Sequence, residues 1–259
     1  MHKLIVLCLF VTLGCFGCAG SIPPHGQSSR CVLIYSEASY WVHWEGSGPW
    51  WQGFPHRSND WDDKRDFRTG TAFAIRVDER RFIVTAAHVV ARTWPEGQAV
   101  AQASAGNLRG GTVRVRVSSL AYPPVRLMVA PVNDLVVMEM PPAFWEQLDL
   151  MVFRATPDLP RPGDEMCVWG FPGTAAPQLA QDGIKVTMAT AEMIVLNKPL
   201  EGGFSGGPIL TGRDGTLKGM TVRSTDRQSR VVPIGKILGE IKDFDAKAIT
   251  YTDSIELKP

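Results

Sequence analysis

One stretch limits what this chain can become more than any other: Glu201-Gly202-Gly203-Phe204-Ser205-Gly206-Gly207-Pro208-Ile209-Leu210, a serine set between glycines and followed at once by an apolar, strand-like run. A serine hydroxyl is a poor nucleophile. A site that uses one needs backbone N–H groups converging on the developing oxyanion and a nearby base to take the proton. Glycines let the backbone turn tightly and approach a carbonyl with no side chain in the way. Alone, the stretch is equally consistent with a glycine-rich turn entering a strand.

Two further stretches favour the chemical reading. In Arg81-Phe82-Ile83-Val84-Thr85-Ala86-Ala87-His88-Val89-Val90, four residues of strong strand character give way to two alanines and a histidine. That places His88 at a strand end, on a scaffold stiff enough to orient an imidazole. In Pro131-Val132-Asn133-Asp134-Leu135-Val136-Val137-Met138 a lone carboxylate precedes a core-like run. A buried Asp134 needs a hydrogen-bonding or charged neighbour, and an imidazole N–H would serve.

The order His88, Asp134, Ser205, spaced by 46 and 71 residues, resembles the chymotrypsin-like serine peptidases, most closely their bacterial trypsin-like and HtrA-like branch. The resemblance covers about residues 69–244. It implies His88 as general base on a T-A-A-H motif, Asp134 on a D-L-A-V-like motif, and Ser205 as nucleophile on a G-x-S-G-G-P motif. It further implies that the Gly203 and Ser205 amides form the oxyanion hole. It also implies a substrate pocket walled by Pro199, Leu200, Thr221, Arg223 and Val231. Many secreted members carry an aspartate directly before the nucleophile to pair with a freshly cut N-terminus. Here that position is Phe204, so activity is expected not to need a defined amino end.

A chain of 259 residues with 44% hydrophobic content is long enough for one large domain or two closely packed units. Its 27 basic and 26 acidic residues show no long single-sign run, which removes electrostatic support for nucleic-acid binding. Lys3 followed by an apolar stretch over residues 4–16 reads as a targeting segment ending near residue 20, so a secreted or envelope location is expected. Cys8, Cys15 and Cys18 fall in or beside it. Bacterial lipoprotein signals have a similar pattern, which leaves membrane attachment through a lipidated Cys15 or Cys18 as an open alternative. Cys31 and Cys167 either pair or remain buried thiols.

The expected organisation is all-β: two six-stranded antiparallel barrels of the chymotrypsin type with a C-terminal helix. Residues 1–20 form the signal and 21–68 a leader plus a tryptophan-rich segment. The first barrel spans residues 69–140, a proline-rich linker 141–162, and the second barrel and helix 163–259. In the first barrel, strands are expected at 70–77, 81–85, 98–103, 112–118, 126–130 and 135–140. In the second they are expected at 165–170, 185–189, 192–196, 208–211, 217–222 and 231–233, before a helix over 234–244 whose apolar face carries Ile237, Leu238 and Ile241. Five of the eight tryptophans fall between Trp41 and Trp61 without periodicity, and are read as an ordered loop or insertion of little regular structure. His43, His56, Asp60, Asp62 and Asp63 match no metal-ligand spacing.

The function expected is a secreted or envelope-attached serine endopeptidase that acts on protein or peptide substrates through an acyl-enzyme, with no metal and no cofactor. The alternatives are a protease-fold binding module without chemistry and an envelope-stress factor of the HtrA kind. The residues after the last helical pattern are too few for a PDZ domain. The pocket walls carry no buried carboxylate, so cleavage after small to medium apolar residues is expected. The competing reading is an acidic preference, with Thr221 and Arg223 turned inward.

Overall fold

The computed structural model describes residues 29–43, 61–90, 106–117, 120–146, 150–155, 157–172, 179–212 and 215–251. The first half is a nine-stranded sheet. Its path runs from β15 (Ile249–Thr250) through β6 (Arg126–Ala130), β7 (Leu135–Glu139), β3 (Arg80–Ala86), β2 (Trp61–Val77), β1 (Val32–His43) and β4 (Gly106–Val117) to β5 (Leu120–Tyr122). The ninth strand, β8 (Val152–Arg154), runs parallel to β2. The second half is a closed six-stranded barrel of β9 (Glu165–Gly170), β10 (Leu179–Ala189), β11 (Ile194–Leu196), β14 (Ser229–Pro233), β13 (Leu217–Ser224) and β12 (Pro208–Thr211). The chymotrypsin-like all-β architecture is therefore present. The first unit differs from the expected six-stranded barrel in being a larger sheet that, among the described residues, stays open.

The central strands follow from their side chains. In β3 and β7, Phe82, Ile83, Val84, Leu135, Val136, Val137 and Met138 are all at most 1% exposed, as uninterrupted apolar runs require when both faces are covered. β-branched residues in these runs suit the pleated backbone. The core under this sheet also takes in Leu210, Leu217, Met220 and Val232 from the second barrel, so the two units share buried surface. A second cluster built on Met166, Val168, Ile184, Ile194, Leu196 and Ile209 fills the closed barrel, and Phe204 of the serine loop is part of it.

The tryptophan-rich stretch departs from expectation wherever it is described. β1 and β2 form one long antiparallel ribbon, in register from Val32 opposite Ala72 to His43 opposite Trp61, and β4 pairs along the other edge of β1. Ladder hydrogen bonds join backbone to backbone, so a ribbon can run through Asp62-Asp63-Lys64-Arg65-Asp66 without any alternation of apolar residues. Residues 44–60 and the strand expected at 98–103 lie outside the described residues, as do the signal segment and the side chains of His43, His56, Asp60, Asp62 and Asp63. The stretch read as a linker contributes helix α2 (Pro142–Glu146) and β8. Cys31 and Cys167 are present as buried thiols, and burial pushes the Cys31 thiol up from its ordinary value.

After β14 the chain forms α3 (Ile234–Lys242), then α4 (Phe244–Lys247), and returns through β15 to the first sheet. Ile234, Ile237 and Ile241 are the buried residues of α3, the i, i+3, i+7 stripe of an amphipathic helix. Phe244 is fully buried against Phe82, with ring centroids 5.0 Å apart in an edge-on arrangement. Removing such an aromatic costs about 3–5 kcal/mol.

Candidate active site

His88 is the second residue of α1 (Ala87–Val90), a single helical turn that begins where β3 ends. Ala86 and Ala87, at 0% and 3% exposure, let neighbouring backbone close in on both sides. Asp134 follows a 3-10 turn over Pro131–Asn133 and starts the chain into β7. Its backbone is left-handed, with φ 48° and ψ 46°, a conformation aspartate tolerates better than most residues. The Asp134 N–H donates to the Pro131 carbonyl (3.0 Å), and the Asp134 carbonyl accepts from the Ala87 N–H (3.0 Å).

The Asp134 carboxylate grips His88 twice. Oδ1 accepts from the His88 backbone N–H at 2.9 Å, and Oδ2 lies 2.9 Å from the imidazole Nδ1, with Oδ1 at 3.2 Å. An ionised carboxylate only accepts, so Nδ1 carries the proton and Nε2 is left as the basic ring atom. The carboxylate expected to be buried is a third exposed, and the imidazole is 41% exposed. Both side chains therefore remain partly open to solvent. Arg68 adds a further tie, its Nη1 donating to the His88 carbonyl at 2.8 Å.

The serine loop is docked onto the same strands. The Ser205 carbonyl accepts from the Thr71 N–H at 2.8 Å. A Cβ on Gly70 would stand 3.0 Å from that carbonyl and closer still to Val89, the residue after His88, so only glycine fits between the two segments. Gly206, at φ +84°, is equally constrained: a side chain there would run into the Thr71 carbonyl, the Thr85 hydroxyl and the Ala86 amide. Among the described residues no hydrogen bond joins the Ser205 hydroxyl to the His88 ring. What links the two segments is backbone packing, with Gly70 against both Val89 and the Ser205 carbonyl.

Within the loop, Phe204 N–H donates to the Glu201 carbonyl (3.4 Å), Gly206 N–H to the Thr221 carbonyl (2.7 Å) and Gly207 N–H to the Phe204 carbonyl (2.8 Å). Among the described residues the Gly203 and Ser205 amides have no acceptor. Gly203 is itself held, at φ +98°, because its carbonyl accepts from the Thr71 hydroxyl at 2.6 Å, and that hydroxyl in turn accepts from the Phe171 N–H at 3.1 Å.

Beside the loop lies a cavity of about 290 Å³ lined by Leu200, Glu201, Gly202, Phe204, Ser205, Thr221, Val222 and Ser224. Of the five expected wall residues, Leu200 and Thr221 are there. Pro199 is exposed and does not line the cavity, and Val231, at 1% exposure, belongs to the barrel core. The Arg223 side chain lies outside the described ones. Two hydroxyls in the wall are already engaged. Thr221 Oγ1 donates to the Phe204 carbonyl at 2.5 Å, and Ser224 Oγ accepts from the Leu200 N–H at 3.1 Å and bonds Ser229 Oγ at 2.7 Å. Thr71 and Ser224 are the residues sequence reasoning missed, whereas Val222 lies in the stretch 220–223 expected to wall the pocket. A signal for Thr71 exists: it is a hydroxyl in the apolar run 70–77, at a position fully buried in the structure.

The family profile described as a trypsin-like peptidase domain matches residues 70–220. The chain belongs to the trypsin-like peptidase family and is a serine peptidase. Among solved structures, it is similar to the active form of the Rv3671c protease from M. tuberculosis, with 16% identity, 85% of this chain and 82% of that chain covered, and a TM-score of 0.54. It is also similar to the inactive form of the Ser343Ala mutant of the same protein from strain H37Rv, with 18% identity, 69% and 82% covered, and a TM-score of 0.50. At these identities the likeness concerns the fold. No curated protein matches significantly.

Proposed function

We propose that the chain is an exported serine endopeptidase in which Ser205 attacks the scissile carbonyl and His88 Nε2 takes its proton. The resulting tetrahedral centre collapses to an acyl-enzyme as His88 passes the proton to the leaving amine, and water repeats the sequence to release the acid. Asp134 fixes the tautomer of His88 and offsets the charge of the imidazolium. The oxyanion is received by the Gly203 and Ser205 amides. The observation that carries this reading is the pairing of a carboxylate-gripped imidazole, 2.9 Å from Asp134, with a serine loop packed beside it whose only uncommitted amides among 203–207 are those two. Hydrogen bonds from nucleophile to base are often long before substrate binds, so their absence in the resting enzyme is compatible with the mechanism.

The cavity supports cleavage after small to medium apolar residues. Leu200, Phe204 and Val222 supply apolar wall, and the Thr221 and Ser224 hydroxyls are turned to internal partners rather than offered to a carboxylate. Glu201 is exposed and stands at the rim. Export follows from the N-terminal targeting segment, with a cut secretory signal and lipidation at Cys15 or Cys18 as its two forms. The test is hydrolysis of casein and of a peptide library by wild type and Ser205→Ala. Loss of activity in a folded variant, with cleavage after valine, alanine or leucine by wild type, is expected. A Ser205→Ala protein that cleaves at the wild-type rate sinks the assignment of the nucleophile, and dominant cleavage after lysine or arginine sinks the pocket argument.

A further inference from the structure

The turn that delivers Asp134 is exposed and lightly held. Val132 is 97% exposed, and among the described residues the turn Pro131–Asn133 makes one side-chain hydrogen bond to another element, from Asn133 Nδ2 to Glu240 Oε1 at 2.5 Å. A carboxylate cannot donate, so the amide nitrogen faces it and the orientation of the Asn133 side chain is fixed by chemistry. Glu240 lies on α3 with its side chain only 19% exposed, and its other oxygen takes Lys247 Nζ at 3.3 Å. Glu240 is thereby aimed at the turn from one side and locked by α4 from the other.

The far end of the same strand is held through α4. Glu139, the last residue of β7, bonds Arg80 at 3.4 Å and Arg126 at 3.5 Å, and both arginines bond Asp245 of α4, at 2.7 and 2.9 Å. Phe244 is packed between these guanidinium groups, 5.4 Å from Arg80 and 5.1 Å from Arg126. The helices grow directly out of β14, whose partner strand β13 holds the serine loop through Thr221. A continuous route of covalent and hydrogen-bonded structure thus runs from Ser205 through Thr221, β14 and α3 to Glu240, Asn133 and Asp134.

We propose that Glu240 is a positioning residue for Asp134, and that α3 and α4 act as a brace that fixes the carboxylate of the first sheet relative to the serine of the second barrel. Asp134 sits in a left-handed conformation with φ 48°, which aspartate tolerates but still holds at some cost, so the turn before it has an alternative to relax into. Releasing Asn133 lets the residue next to it relax, and the two-point grip on His88 loosens. The proposal rests on the peptidase reading for its kinetic consequence, whereas its structural consequence stands apart from it.

The experiment has two readouts on the full chain. Glu240→Ala and Asn133→Ala are each expected to lower kcat about tenfold with little change in KM, and the double variant to be no worse than either single one, because both remove one bond. Glu240→Gln, whose amide oxygen still accepts from Asn133, is expected to recover most of the rate. The second readout is the NMR resonance of the His88 Nδ1–H proton, which reports its bond to Asp134. It should shift or broaden in Glu240→Ala and stay in place in Glu240→Gln. A Glu240→Ala protein that keeps both the wild-type kcat and the wild-type resonance, or only melts at a lower temperature, overturns the brace. A wild-type protein that hydrolyses nothing, but whose resonance moves in Glu240→Ala, sinks the peptidase reading and leaves the positioning role standing.

Discussion

Thr71 is the residue through which the first sheet takes hold of the serine loop, the loop proposed to receive the oxyanion, and its replacement by valine tests that connection with almost no change in shape. The hydroxyl donates to the Gly203 carbonyl at 2.6 Å and accepts from the Phe171 N–H at 3.1 Å, on a residue with 0% exposure. Valine keeps the volume and removes both bonds. Each orphaned group costs about 1–3 kcal/mol when buried. Gly203 and Phe171 are partly accessible, so the lower end applies to each and the sum is about 2 kcal/mol. For a chain of this size that is a fall in Tm of roughly 4–8 °C. The rate should fall further than stability accounts for, because the Gly203 peptide is no longer held against the transition state. A drop in kcat of about tenfold is expected, with KM little changed. Thermal melts and steady-state hydrolysis of one peptide, on wild type, Thr71→Val and Thr71→Ser, make the comparison, serine retaining the hydroxyl and most of both properties. A Thr71→Val enzyme with the wild-type Tm and kcat would refute the reasoning.

Replacing Asp134 with Asn should leave the fold intact and reduce kcat by on the order of 10³–10⁴-fold, since an amide that donates to Nδ1 enforces the wrong imidazole tautomer; stopped assays at neutral pH read it. Asp245 is held below the usual carboxylate range by hydrogen bonds from Arg126 and then Arg80. A carboxylate depressed in the folded state adds stability above its unfolded pKa and loses it as pH falls through the folded one. Urea melts of wild type and Asp245→Asn should therefore differ at neutral pH and converge in acid, below about pH 4; a gap that persists undiminished there would contradict the ion-pair account. Phe204 is 3% exposed and packed on Gly170, where an ion pair with a new amino terminus has no place. Proteins beginning at Ser21 and at Gln27 should turn over substrate alike, and a requirement for one defined first residue would overturn this.

Legibility in the sequence followed the kind of interaction involved. Strands buried on both faces, such as 82–85 and 135–138, announce themselves because burial demands apolar side chains at every position. His88 and Ser205 stood out because small residues and glycines flank them, and Asp134 because a lone carboxylate precedes an apolar run; the structure sets the Asp134 carboxylate against the His88 ring. The outer part of the β1–β2 ribbon, beyond Tyr35 on one strand and before Gly70 on the other, was not legible, since it is held by a backbone ladder and the sequence Asp62-Asp63-Lys64-Arg65-Asp66 carries no apolar period. Val231 was taken for a pocket wall because strand position alone does not say which face turns inward, and β14 buries it in the barrel core; Pro199 lies in the exposed stretch after β11 and does not line the cavity. The tie from Asn133 to Glu240 spans 107 residues and leaves no local trace.

The central claim is that Ser205 is an activated nucleophile, and its most direct test is the site of reaction with a peptidyl phosphonate that carries valine at its reactive end. Wild-type protein is treated with the reagent, digested, and mapped by mass spectrometry, with Ser205→Ala and His88→Ala alongside. The account predicts a single adduct on the peptide containing Ser205, absent from Ser205→Ala and formed far more slowly in His88→Ala. Folded wild-type protein that stays unlabelled, or an adduct on another serine that persists in Ser205→Ala, would contradict it.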